Sequence, residues 1–289
     1  MMPSTQVKPF WEAIVMNIHA VVKRSSLPFF ILIFVLSLPF WVLGAMSASP
    51  EGPTNIPLSI IGGYTPLVAA AILVWRKEGL SGVGRLLSRV LDYKRITNKI
   101  WYIPAIGFLP ALLLLSYGLM LLLGLPLSSS SFPLGLIPVL LVAFFIEAIG
   151  EEVGWMGYAI DPLQDRWHAL GASLIVGAAW GLWHVVPLIE AHRSLTWIAG
   201  WFLGPLAGRI ILVWLYNNTG RSVFAVILAH ALFNAASSLL PTYDASVVQF
   251  LTGGVLVVAA GIITFLWGPK TFTRFRSPNP GGSTLGEKR

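Results

Sequence analysis

Cysteine is absent from the 289 residues of the chain, and charged residues are scarce at 11%. Without cysteine, the protein has no disulfide bond, no thiol nucleophile and no metal or iron–sulfur site held by thiolates. A soluble domain is about 25% charged, so the low charge and the 56% of hydrophobic residues argue against a soluble fold. The composition therefore indicates a membrane protein.

Long apolar stretches account for most of the sequence, and they approach the roughly 20 residues that a bilayer-spanning helix needs. We predict an all-α fold, a polytopic membrane helix bundle of about eight transmembrane helices, in a multi-pass protein of the cell membrane. Little sequence remains for a soluble domain, so the whole chain, 1–289, is predicted to form a single multipass domain. The predicted spans are 27–46, 56–75, 100–125, 133 or 138 to 158, 172–189, 195–216, 222–240 and 246–267.

The net charge of +7 is distributed along the loops between these spans. All but two of the 19 lysines and arginines lie in segments on one predicted side, and the exceptions are Arg193 in an outer loop and Arg209 within a span. This positive-inside pattern places both termini in the cytoplasm and makes the lipid bilayer, rather than nucleic acid, the expected partner. The Pro- and Gly-containing tail, 269–289, is predicted to be disordered and cytoplasmic.

The first apolar run, 27–46, follows 26 mixed residues. A signal peptide is the competing interpretation, but the run is too long for a typical signal core and the preceding segment is too long as well. We therefore predict a retained membrane anchor.

Three carboxylates, Glu147, Glu151 and Glu152, follow directly on an apolar run in the fourth predicted span. An ionised carboxylate is costly in hydrocarbon, so an intramembrane glutamate is by default a functional-site hypothesis. Glu147 is expected to be a protonated helix contact without a catalytic role. Glu151 and Glu152 are predicted site residues, and Arg209 is expected to be the counter-ion of one glutamate.

Two histidines and an asparagine lie inside later spans. His184 follows Trp180 by four residues, and Asn234 follows His230 by four, so each pair shares a helical face. At about 1.5 Å per residue, His184, His230 and Asn234 reach depths that overlap with those of the glutamates. Alone, each histidine is more typical of packing or interhelical hydrogen bonding. The predicted site therefore depends on joint occurrence, and it consists of Glu151, Glu152, His184, His230 and Asn234.

These five groups suffice to hydrolyse an amide bond. A glutamate can act as general base on water, and a histidine can pass a proton to the leaving amine. A second histidine with an asparagine can donate hydrogen bonds to an oxyanion. The same groups can also hold one divalent metal such as zinc. Because the His-Glu-x-x-His signature is absent, the sequence leaves the metal open.

The polar residues resemble the motifs of the CPBP superfamily of intramembrane proteases, the CAAX prenyl endopeptidase and bacteriocin-processing (Abi) group. That family carries Glu-Glu-x-x-x-Arg, then an aromatic-x-x-x-His, then His-x-x-x-Asn/Asp, on successive helices. The resemblance covers 132–240, the predicted catalytic core, and one position departs from it, because Met156 stands where the first motif has arginine. The matching residues are Glu151 with Glu152, Trp180 with His184, and His230 with Asn234.

The resemblance implies an intramembrane endopeptidase, named a metalloprotease in some accounts and glutamate-dependent in others. It implies that Glu151 and His184 activate water, that Glu152 supports that pair, and that His230 and Asn234 stabilise the oxyanion. The implied partner is a membrane-associated or lipidated protein substrate. Met156 motivates the hypothesis that Arg209 compensates for the missing arginine. It also motivates one alternative function, an impaired scaffold or immunity factor, and the glutamates motivate another, a proton-coupled transporter.

Overall fold

The computed structural model of the protein describes residues 26–47, 58–125, 134–239 and 245–273. The regular structure in these ranges is entirely helical, as predicted. A 3₁₀ segment, Leu58–Tyr64, precedes α2, and a π-helical turn, Trp155–Ala159, joins α4 to α5. The α-helices are α1 (Leu27–Ser47), α2 (Thr65–Ser88), α3 (Tyr102–Leu122), α4 (Ile137–Gly154), α5 (Ile160–Glu190), α6 (Leu195–Trp201), α7 (Leu203–Asn218), α8 (Val223–Ser238) and α9 (Ser246–Trp267).

Five helical stretches in the described ranges are long and apolar enough to cross a membrane, so the chain is a polytopic membrane helix bundle. They are Leu27–Met46, Lys99–Leu122, Ile137–Glu190, Leu195–Asn218 and Ser246–Trp267. The stretch Ile137–Glu190 contains two of the spans predicted from sequence. The eight-span count and the cytoplasmic termini stay predictions.

Breaks in the helices explain why the predicted boundaries differ from the observed ones. Residues 161–168, expected to form a loop, are helical, and the chain changes direction at His168, where φ is 58°. In α2 the backbone breaks at Gly79, where φ is 67°, directly after the charged residues Arg76, Lys77 and Glu78. At 16 residues, α8 is shorter than a typical span.

The first residues of the predicted tail, 269–273, lie against the C-terminal end of α7. Asn217 Nδ2 donates to the Thr271 carbonyl and Asn218 Nδ2 to the Phe272 carbonyl, both at 2.8 Å. Phe272 is fully buried. Two side-chain amides and one buried aromatic ring thus hold the backbone of 269–273, and disorder of the tail stays a prediction. Residues 274–289, like 1–25, lie outside the described ranges.

Close helix packing sets the position of the glutamates. Helix α4 packs against α2 and α8, while α5 packs against α7 and α3 against α8 and α9. Gly154 lies so close to the Pro66 carbonyl that a Cβ would overlap it, and a Cβ at Gly177 would lie 2.8 Å from the Pro205 carbonyl. Small residues at such contacts let membrane helices approach closely. Glu151 and Glu152 are consequently 2% and 0% exposed.

Candidate active site

A cavity of about 460 Å³ lies among α3, α4, α5, α7, α8 and α9. Four of the five predicted site residues line it, namely Glu151, His184, His230 and Asn234. Glu152 lies behind the wall and is fully buried. Residues far apart in sequence thus meet in one place, as their depths had suggested. Much of the remaining wall is apolar and includes Leu109, Leu113, Phe144, Leu188, Trp201, Phe233 and Leu256.

Glu151 and His184 form the first part of the site, and Trp180 orients both. The indole Nε1 of Trp180 donates to Glu151 Oε2, and the carbonyl of Trp180 lies 2.9 Å from His184 Nδ1. Because a carbonyl only accepts, His184 Nδ1 carries the proton and Nε2 is left as an acceptor in the neutral ring. Nε2 lies 4.0 Å from Glu151 Oε1, beyond direct hydrogen-bonding distance.

Glu152 and His230 form the second part. Glu152 Oε2 accepts from Arg209 Nη1 at 2.6 Å, and Glu152 Oε1 lies 2.9 Å from His230 Nδ1. The carboxylate makes Nδ1 the donor and leaves Nε2 as the nitrogen available to the cavity. Glu152 was expected to support Glu151 and His184. Its hydrogen bonds go instead to Arg209 and His230, because its side chain projects from α4 about 100° round the helix axis from that of Glu151.

Arg209, expected to be the counter-ion of one glutamate and to compensate for the missing motif arginine, lies on the cavity wall. Its side chain is 2% exposed, and its guanidinium carbon lies 5.5 Å from the centre of the Trp180 ring. The sequence signal for Arg209 was its position as the single basic residue inside a predicted span. Its partner could not be read from that signal, because the rotation of α7 relative to α4 is a tertiary property.

Glu147 lies on the cavity wall, where its carboxyl group interacts with the side chain of Asn234. Sequence reasoning assigned it to a helix contact and so missed its place at the site. The available signal was its spacing, since Glu147 precedes Glu151 by one helical turn and shares its face. Because the amide of Asn234 carries two N–H groups, it can donate to a ligand in the cavity while it interacts with Glu147.

Arg89 anchors the π-helical turn that follows the glutamates. Its Nη1 donates to the Gly157 carbonyl at 3.0 Å, and its Nη2 donates to the Tyr216 hydroxyl at 2.9 Å. Burial disfavours the charge, but Tyr216, Asp92 and Asp161 together outweigh burial and raise the pKa of Arg89. The end of α4 is therefore tied to both α2 and α7 by a cation that stays charged.

Glu151, Glu152 and His230 could hold a metal ion, since one ligand atom from each lies within 4.8 Å of the others. Carboxylate oxygen and imidazole nitrogen are ordinary zinc ligands. The fit is incomplete, however, because both oxygens of Glu152 already accept hydrogen bonds and His230 Nδ1 is a donor. A metal at this position would also have to displace or accommodate the guanidinium of Arg209.

Comparison with known proteins identifies the family of this chain. The family model described as "Type II CAAX prenyl endopeptidase Rce1-like" matches residues 133–236. A relative named CAAX prenyl protease 2, from Methanococcus maripaludis, is 30% identical over 266 residues, covering 84% of this chain and 94% of the relative. The matched region contains all five predicted site residues. The chain therefore belongs to the Rce1-like family of CAAX prenyl endopeptidases and is a multi-pass membrane protease.

Proposed function

We propose that this protease cleaves a peptide bond of a membrane-associated or lipidated protein with water activated by Glu151 and His184. The observation that carries the proposal is the 4.0 Å separation of Glu151 Oε1 and His184 Nε2. Both atoms are acceptors, and one water molecule can donate a hydrogen to each. That arrangement leaves an oxygen lone pair of the water directed at a substrate carbonyl carbon.

The proposed reaction begins when the water oxygen attacks the carbonyl carbon and a proton passes to Glu151 or His184. The carbonyl oxygen becomes an oxyanion, to which Asn234 Nδ2 and the second ring nitrogen of His230 donate. Two such donors contribute substantially to the rate of the reaction, because one oxyanion donor is worth about 100- to 1,000-fold in rate. The C–N bond then breaks, and the stored proton passes to the leaving amine.

His230 can donate to an oxyanion only if both of its ring nitrogens carry protons. Its Nδ1 proton is directed at Glu152, so the proton needed for catalysis is on Nε2. An ionised Glu152 beside the ring favours this doubly protonated form, because opposite charges attract strongly in a buried site. Glu152 is thus assigned a supporting role for the oxyanion donors.

We assign water activation to Glu151 and His184 themselves rather than to zinc. Arg209 places a permanent positive charge next to Glu152, which is one of the three residues that could hold a metal. If zinc does bind, Glu151, Glu152 and His230 would hold it, and it would lower the pKa of bound water and polarise the carbonyl. Chelation therefore distinguishes the glutamate-dependent mechanism from the metalloprotease mechanism.

The apolar walls of the cavity and the name of the relative support the proposed substrate class. Leu109, Phe144, Trp201 and Phe233 offer an apolar surface to a lipid-linked or membrane-inserted segment. We propose the cell membrane as the location. A farnesylated CAAX peptide is the appropriate first substrate, because the relative is named a CAAX prenyl protease.

The test uses the purified protein in lipid nanodiscs and a farnesylated CAAX peptide with a fluorophore and quencher on either side of the scissile bond. We expect Glu151→Gln and His184→Ala each to lower kcat by at least about 1,000-fold. His192→Asn is the control, because His192 is exposed and asparagine tolerates its positive φ of 56°. A zinc chelator is expected to leave the wild-type rate within about twofold.

Three outcomes would contradict the proposal. Retained cleavage in Glu151→Gln and His184→Ala would remove the water-activating role. Loss of activity on chelation, restored by zinc, would favour the metal mechanism. If neither the peptide nor any protein in membrane proteomics is cut in a Glu151-dependent way, the protein would instead be a scaffold or immunity factor on the same fold.

A further inference from the structure

Arg209 is in contact with both parts of the site. Its Nη1 donates to Glu152 at 2.6 Å, and Glu152 in turn accepts from His230. Its guanidinium carbon lies 5.5 Å from the centre of the Trp180 ring, and the indole N–H of Trp180 donates to Glu151. A single side chain on α7 therefore acts on Glu152 directly and on Glu151 through one intermediate residue.

The charges at the site require a permanent cation. Glu151 and Glu152 are adjacent in the sequence and fully buried, and two buried carboxylates close together do not ionise at once without compensation. Among the described residues that line the cavity, Arg209 is the one lysine or arginine. Arginine keeps its proton even when buried, unlike lysine or histidine. With Glu147 protonated, as expected from the sequence, the charges of Glu151 and Glu152 balance those of Arg209 and a protonated His230.

Position 156 has no such charge. Met156 follows Glu152 by four residues, is fully buried, and lies in the π-helical turn. Four residues after the second glutamate is where the resembling motif carries its arginine. The buried cation is therefore located on α7 and not in the segment that carries the glutamates.

We infer that Arg209 is a positioning residue that replaces the motif arginine from another helix, keeping Glu151 and Glu152 ionised together and His230 oriented. This inference rests on the proposed function, since its consequence for rate is measured in the same reaction. Arg209 itself does not touch the reacting atoms.

The test is a relocation of the charge. Arg209→Met is expected to lower kcat by about 100-fold while changing KM by less than about threefold, because a displaced catalytic group slows the reaction more than it weakens binding. Arg209→Lys is expected to keep more of the activity than Arg209→Met, because it keeps a charge. The double variant Met156→Arg/Arg209→Met is expected to have a kcat at least about tenfold higher than that of Arg209→Met. Arg166→Met is the matched control, since Arg166 is exposed on α5.

A second measurement is independent of cleavage. The infrared spectrum of Arg209→Met is expected to show one additional protonated carboxyl group, because one glutamate takes up a proton when its counter-charge is lost. That signal should be absent from Arg166→Met and should disappear again when Met156→Arg is added.

The inference is overturned if Arg209→Met keeps kcat within about twofold of wild type, if no additional carboxyl signal appears, or if Met156→Arg restores neither rate nor spectrum. If Arg209→Met fails to fold, Arg209→Lys and the relocated variant still decide the question, because both retain a cation. Wild-type protein that does not cleave the peptide would count against the proposed function, while the infrared comparison would still test the charge balance.

Discussion

Trp180 has two interactions in different directions. Its N–H holds Glu151, and its ring face receives the guanidinium of Arg209. The ring also stacks on Trp201, with 5.8 Å between ring centres and 28° between planes. At the scale of single residues, the carboxylate that is proposed to activate water is thus oriented by an aromatic side chain rather than by another charge.

Removing only the indole N–H isolates this interaction. Trp180→Phe keeps an aromatic ring but removes the hydrogen bond to Glu151. A hydrogen bond to a charged group is worth about 1.5–3 kcal/mol, so we expect kcat to fall by about 10- to 100-fold in the nanodisc assay. Thermal unfolding should change less than activity does.

Trp183→Phe is the matched control for this prediction. Trp183 lies on the same helix, and its Nε1 donates to Ser37 Oγ at 2.7 Å, away from the cavity. Loss of that neutral hydrogen bond is expected to cost about 0.5–1.5 kcal/mol of stability and to leave kcat within about twofold. Equal losses of kcat in the two variants would show that Trp180 has no particular role.

The sequence predicted which residues meet but not how they pair. The spacing of four residues gave the shared faces of Trp180 with His184 and of His230 with Asn234, because an α-helix repeats every 3.6 residues. The contacts of Glu152 and Glu147 depend instead on the rotation of α4 against α7 and α8. No local pattern encodes that rotation, so the partners Arg209 and Asn234 became visible only in the structure.

At the scale of helices, the position of α4 depends on close contact with α2. Gly154 lies against the Pro66 carbonyl, and a side chain there has no space. Glu151 lies three residues before Gly154 on the same helix, so displacement of α4 would also move the carboxylate.

Gly154→Ala is therefore expected to be destabilising and to reduce activity. Overpacking a close contact costs about 1–3 kcal/mol, and the shift of α4 should lower kcat as well. Gly118→Ala is the control, because no atom lies within 4 Å of a Cβ placed at this α3 position. It should be neutral or stabilising by about 0.5–1 kcal/mol, since alanine favours helix over glycine. Unfolding in detergent and peptide cleavage measure the two effects. A stable, active Gly154→Ala would refute the packing argument.

Helical class was predictable because apolar runs are long and charges are few. Helix ends were less predictable, because they depend on backbone geometry at individual positions. The breaks at Gly79 and His168, both with positive φ, have no signature in hydropathy. The π-helical turn at 155–159 likewise follows the glutamates without any marker in the composition.

At the scale of the whole molecule, the absence of cysteine makes the membrane topology directly measurable. Single cysteines at Gly84 and Ser130 are expected to react with a membrane-impermeant maleimide from opposite sides, Gly84 from the cytoplasm and Ser130 from outside. The wild-type chain is the blank, because it has no thiol. Labelling of both positions from the same side would contradict the predicted eight-span arrangement.

The contact of Thr271 and Phe272 with α7 has a consequence for how the protein is made. Asn217 and Asn218 complete the C-terminal end of α7 by bonding to residues 54 positions later. Chains are synthesised from the N-terminus, so the helix that carries Arg209 is made before its last hydrogen-bond partners exist. Assembly of the catalytic bundle is thus finished only after Phe272 has been translated, which keeps the nascent protease incomplete while the preceding helices are made.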